Sequence, residues 1–143
     1  PQYGLRRYQR TQRMNARYEQ LIDGILEHGY GVIDDFLAPD DVARLAAQLH
    51  QRHRAGQLRA AGVGAGQATV EKSIRGDEIF WLGGPDATPD EKAFLARIDD
   101  LIQYLNETCY LGLHDAELHY ARYPAGTFYQ RHLDRFRSDS RRK

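Results

Sequence analysis

Ala121-Arg122-Tyr123-Pro124-Ala125-Gly126-Thr127-Phe128-Tyr129-Gln130-Arg131-His132-Leu133-Asp134 is the stretch on which the fold and the chemistry of this chain turn. Leu118, Tyr120 and Arg122 alternate against His119, Ala121 and Tyr123, the period of two that marks a strand over residues 117–123. Pro124-Ala125-Gly126 is turn chemistry, and residues 128–134 read as the returning strand. Side chains two apart in an extended strand project to one face, so His132 and Asp134 point together while Leu133 faces away. An imidazole nitrogen and a carboxylate oxygen placed in that way are two thirds of a 2-His-1-carboxylate site for non-haem Fe(II). The pair alone also fits an exposed polar strand face, and His and Asp ligate zinc as well.

Upstream, the order is helices first and strands last, an α+β arrangement. Tyr18, Leu21, Ile22, Ile25 and Leu26 fall on one stripe of an amphipathic helix that ends at Gly29. Residues 30–37 read as a short strand around Val32 and Ile33. A second helix then opens at Asp40 and Asp41, carries Val42, Leu45, Ala46 and Leu49, and stops at Gly56. Residues 56–68 are rich in glycine and alanine, with Gly62, Gly64 and Gly66 at alternate positions, and read as a mobile loop. Ile79, Phe80, Trp81 and Leu82 enter the core as a strand that Gly83, Gly84 and Pro85 terminate. Thr88-Pro89-Asp90-Glu91 is a capping box, with proline at the first helical position. The helix that follows buries Phe94, Ile98, Leu101, Ile102, Leu105 and Cys109, which makes Cys109 a core filler.

Length and charge narrow the function classes. A chain of 143 residues can bury a working core. Lys plus Arg and Asp plus Glu each total 20, so the mean field favours neither nucleic acid nor an anionic membrane. The distribution is less even: Arg6, Arg7, Arg10, Arg13 and Arg17 form a basic arm, assigned to residues 1–14, and further arginines crowd residues 131–143. With Cys109 as its single cysteine the chain forms no internal disulfide, which fits the reducing cytoplasm. No apolar run approaches the roughly 20 residues that a membrane helix needs.

Taken whole, the stretch from Ala121 to Asp134 resembles the start of the catalytic core in the prolyl-hydroxylase-domain family of Fe(II)- and 2-oxoglutarate-dependent oxygenases. Two further segments agree in order. Gly31-Val32-Ile33-Asp34-Asp35-Phe36-Leu37 is similar to the first strand of that family, and Ser73-Ile74-Arg75-Gly76-Asp77-Glu78-Ile79-Phe80-Trp81-Leu82 to its Arg-Gly-Asp strand. The resemblance implies helices packed on a double-stranded β-helix (jelly-roll) core. It implies His132 and Asp134 as iron ligands and Tyr123 as a cofactor-site residue whose hydroxyl reaches 2-oxoglutarate. Arg75, Asp77 and Tyr129 become candidate substrate contacts, and residues 56–73 a lid over a peptide substrate. His119 would form a pocket wall. The implied activity is hydroxylation of a prolyl residue in a protein, with Fe(II), 2-oxoglutarate as cosubstrate, and ascorbate as supporting reductant.

The family pattern has a third ligand, a histidine, and then a basic residue that pairs with the far carboxylate of 2-oxoglutarate. Both would lie beyond Lys143. The expectation is therefore that residues 15–143 form the N-terminal portion of one oxygenase domain whose remainder, with the closing strands, follows Lys143. Two other classes stay open. One is a non-catalytic module in which the basic arm, with Tyr3, Tyr8 and Tyr18 interleaved, binds RNA or an acidic partner; the other is a zinc hydrolase. His50 and His53, one helical turn apart, lack an acidic or thiol partner in the sequence around them and read as surface residues.

Overall fold

The computed structural model describes residues 2–62 and 75–132, with residues 2–11 and 13 described by backbone alone. The chain is α+β. Its elements are α1 (Gln2–His28), α2 (Pro39–Arg54), β1 (Arg59–Ala60), β2 (Glu78–Trp81), α3 (Pro89–Cys109) and β3 (His119–Arg122). They divide into two compact units, one running to Leu45 and including Thr88–Ala116, the other Ala46–Ala87 with the residues from Glu117 on.

In the first unit α1 and α3 meet through Tyr18, which is buried and sets its ring 5.2 Å from that of Tyr104. Arg97 donates to the Phe36 carbonyl at 3.1 Å and fastens the connection after α1 to α3. α3 starts as its residues dictate. Thr88 Oγ1 accepts from the Glu91 amide at 3.3 Å, and Glu91 Oε2 accepts from the Thr88 amide at 2.8 Å, so both groups of the capping box are made. Arg44 bonds Asp41 and Asp90 and so ties the first turns of α2 and α3. The α3 C-terminus closes with Tyr110 in the left-handed region (φ 54°), and the Asn106 side chain clasps Leu113 through two 2.7 Å hydrogen bonds.

α1 runs from Gln2 through the basic residues and is 27 residues long. One expectation is changed here. Residues 30–37 do not form a strand. Gly31 lies so close to α1 that a Cβ on it would stand 2.3 Å from the Leu21 carbonyl, and Asp35 adopts φ 55°. A strand is held by its ladder partners, and among the described residues none pairs with this segment.

In the second unit the strands form an antiparallel sheet in the order β1-β2-β3. β2 and β3 pair Glu78 with Arg122, Ile79 with Ala121, Phe80 with Tyr120 and Trp81 with His119. Directly paired side chains share a face, so Glu78, Phe80, Tyr120 and Arg122 lie on one side, and Ile79, Trp81, His119 and Ala121 on the other. α2 supplies the cover for the first side. The Arg52 guanidinium lies 3.9 Å over the Phe80 ring and donates to Gln57 and Asp86, while Arg122 bonds Glu78 at 2.9 Å. The second side is open: Trp81, expected to be buried for its bulk, is 51% exposed. The expected strand over residues 128–134 is reduced, in its described part, to a single bridge between Arg75 and Tyr129.

Candidate functional site

Every described residue singled out from the sequence for chemistry belongs to the open side of this sheet or its margin. Asp77 precedes β2 by one residue and continues the side of Ile79 and Trp81; Tyr123 follows β3 and continues that of His119 and Ala121. The margin is built by the turn at Pro124. Thr127 donates to the Pro124 carbonyl from its amide at 3.0 Å and its hydroxyl at 2.7 Å, and Gly126 takes φ 80°. The returning chain then runs against residues 75–77. Gly76 donates to the Phe128 carbonyl at 3.0 Å, and a Cβ on Gly76 would meet that of Thr127 at 2.7 Å, so only glycine permits this approach.

That contact assembles the site. Arg75 grips Asp77 through two bonds, Nε to Oδ1 at 2.6 Å and Nη2 to Oδ2 at 2.9 Å. The Asp77 side chain has no exposed surface and that of Arg75 is 14% exposed. The Arg75 guanidinium stands 4.5 Å from the centre of the Tyr129 ring, and Tyr129 stacks on His132 with ring centroids 3.6 Å apart and 16° between planes. His132 Nδ1 lies 2.7 Å from the Gln130 carbonyl oxygen. A carbonyl only accepts, so this contact selects the Nδ1–H tautomer with the lone pair on Nε2, as metal-ligating histidines generally do. His132 is exposed. The donor chemistry at this position therefore fits a divalent metal.

The electrostatics follow from the same grouping. The bond to Asp77 holds Arg75 above its usual value despite a burial penalty. Burial, assisted by the Asp77 charge, pushes the Tyr123 hydroxyl up. Burial, followed by the Arg75 charge, lowers His119, whose ring packs 4.9 Å from that of Trp81. Tyr123 and His119 thus both sense the charges of Asp77 and Arg75.

Asp134, the second expected ligand, lies outside the described residues, as does most of the expected lid; residues 56–62, which include β1, are the described part of that segment. Among the described residues no three His, Cys, Asp or Glu side chains gather as a metal site. His50 is exposed and His53 lies 3.9 Å from Glu78, and neither belongs to a cluster of three ligand-type side chains among the described residues. The Gln130 carbonyl and the stack between Arg75, Tyr129 and His132 escaped the sequence reading. Arg75 and Tyr129 are far apart in the chain, and no local pattern encodes a bridge between them. A groove of about 770 Å³ in the first unit, flanked by Tyr18, Phe94, Arg97 and Tyr104, has no histidine in its lining. Its Asp41 and Asp90 are committed to Arg44, and among the described residues no three ligand-type side chains gather there.

No family model matches the chain. Among curated proteins, it is 29% identical to human Egl nine homolog 1 over 129 residues, covering 86% of this chain and 30% of that protein. It is 30% identical to human prolyl hydroxylase EGLN3 over 128 residues, covering 86% of this chain and 54% of that protein. Among solved structures, a Pseudomonas putida prolyl-4-hydroxylase is similar with a TM-score of 0.75 and 39% identity, over 82% of this chain and 61% of that one. A Trichoplax adhaerens prolyl hydroxylase, solved in complex with a hypoxia inducible factor oxygen degradation domain peptide, has a TM-score of 0.76 at 23% identity, over 87% and 58%. The chain thus spans less than two thirds of each of these relatives. They give no support to a non-catalytic module built on the basic arm.

Proposed function

We propose that this chain, similar over the part it spans to prolyl hydroxylases, serves an Fe(II)- and 2-oxoglutarate-dependent dioxygenase acting on a prolyl residue of a protein or peptide. The observation that carries this reading is the His132 imidazole, with Nδ1 engaged by the Gln130 carbonyl and its ring stacked beside the Arg75–Asp77 pair. His132 and Asp134 would hold the metal, a pairing that the His-x-Asp spacing favours. Iron, when bound there, would let 2-oxoglutarate and dioxygen supply the oxidation, 2-oxoglutarate going to succinate and CO2 while one oxygen atom enters a C–H bond of the substrate.

The protein groups bind and orient. The raised Tyr123 hydroxyl keeps its proton at neutral pH and so acts as a donor, the form that suits a 2-oxoglutarate carboxylate. The lowered His119 stays neutral there and adds no cation to the wall of the site. Trp81, half exposed on the same side, would form apolar wall once a second antiparallel layer faces this sheet, the arrangement of a jelly roll. In the proposed architecture residues 15–143 contribute to a single oxygenase domain, preceded by the arm of residues 1–14. A cytoplasmic location is part of the same reading; among the described residues, no helix is long and apolar enough to cross a membrane.

Succinate release with a prolyl-containing peptide, Fe(II), 2-oxoglutarate and ascorbate tests the proposal. His132→Ala and Asp134→Ala should abolish turnover. Tyr123→Phe should raise KM for 2-oxoglutarate about tenfold, the loss of a hydrogen bond to a charged group. Turnover that survives His132→Ala would refute the assignment.

A further inference from the structure

We infer that Asp77, Arg75 and Tyr129 form a positioning column that sets the plane of the His132 imidazole and so aims its metal-binding nitrogen. The inference rests on the reading of His132 as a ligand. Its base is rigid: two hydrogen bonds from one guanidinium to one fully buried carboxylate fix the position and the plane of Arg75 together. The bridge between Arg75 and Tyr129, with the close approach at Gly76, fixes the two backbones. Tyr129 lies between the guanidinium and the imidazole, 4.5 Å from one and 3.6 Å from the other, and its ring is within 16° of parallel to that of His132.

The stack defines the plane of the imidazole. The 2.7 Å contact of Nδ1 with the Gln130 carbonyl then chooses between the two orientations in that plane, since a flipped ring would turn carbon toward the carbonyl. Plane and edge together determine where Nε2 points. A lysine in place of Arg75 would keep the charge but supply neither the fork nor the flat surface. Asp77, with no exposed side-chain surface, acts through Arg75. The Arg75–Asp77 pair at the base of the column thus lies on a different segment of the chain from the ligand that Tyr129 and the Gln130 carbonyl orient.

The test uses the intact protein without metal and then with Mn(II), a redox-silent probe. In the metal-free protein, proton NMR of the His132 ring should show an upfield ring-current shift from Tyr129. Tyr129→Phe should retain both the shift and the Mn(II) affinity measured by calorimetry. Tyr129→Leu and Arg75→Lys should lose the shift and weaken Mn(II) binding about tenfold or more, the usual scale for groups that orient a ligand. Retention of the Trp81 fluorescence of the folded chain separates these effects from unfolding. Wild-type affinity in Tyr129→Leu or in Arg75→Lys would overturn the column. Wild-type affinity in His132→Ala, when the wild-type protein itself shows the ring shift, would instead overturn the ligand assignment beneath it.

Discussion

Asp77 carries the most decisive charge in the second unit. Its carboxylate has no exposed surface and its two oxygens are committed to Arg75, itself nearly buried. Removing one partner of such a pair leaves the other charge uncompensated in a poor solvent, so Asp77→Ala should cost about 3 kcal/mol or more of stability. Asp77→Ala combined with Arg75→Met should recover part of that loss, because both charges then go; urea unfolding of the two proteins makes the comparison. His119 predicts a pH response. Burial and the Arg75 cation depress it below its usual 6.5, against the opposing charges of Asp77 and Glu117, so just below that value the unfolded chain binds the extra proton first. The stability from keeping it neutral is present above 6.5 and is lost as the pH falls through the depressed folded value. His119→Asn should flatten the fall in melting temperature as the pH drops below 6.5. An unchanged slope would show that other groups govern the acid limb.

α3 owes its start to a local code that works without tertiary help. Thr88 and Glu91 satisfy each other's backbone amides, and Glu91 is wholly buried in doing so. Thr88→Ala should therefore cost about 1 kcal/mol, the usual value of an N-cap, and a lowered denaturant midpoint at unchanged slope would register it. The segment over residues 30–37 shows the opposite case. Its apolar alternation is adequate for a strand, yet Val32 is 67% exposed and the chain is bent at Asp35. Pairing is a property of two segments, and only one is specified by the pattern. The same holds for residues 128–132, where Arg75 supplies one bridge to Tyr129.

At the scale of the molecule, the asymmetry of the sheet separates support from chemistry. One side is roofed by Arg52 on Phe80, and the other carries Trp81, His119, Tyr123 and the column that leads to His132. A metal held there binds the folded chain and not the unfolded one, so it must stabilise the fold. Mn(II) at a hundredfold excess over its Kd should add about 2.7 kcal/mol. Thermal unfolding with and without Mn(II) measures this, and His132→Ala should remove the increment while leaving the metal-free midpoint close to wild type. An increment that persists in His132→Ala would move the metal to another part of the chain.

The α+β order, the capping box at Thr88, the helix stop at Gly29 and the turn at Pro124 were all legible from residue type and spacing, since each depends on atoms within a few residues of one another. The resemblance of three ordered segments also directed attention to His132, Tyr123, Arg75, Asp77 and Tyr129 as candidates. Their mutual geometry was not legible. The bridge between Arg75 and Tyr129, the stack that passes from Arg75 to His132, and the open side of the sheet all join segments distant along the chain. Side-chain periodicity assigns a face to each residue but is blind to which other segment will meet that face. Only the folded backbone, closing over Gly76, decided that an ion pair would come to lie behind the histidine.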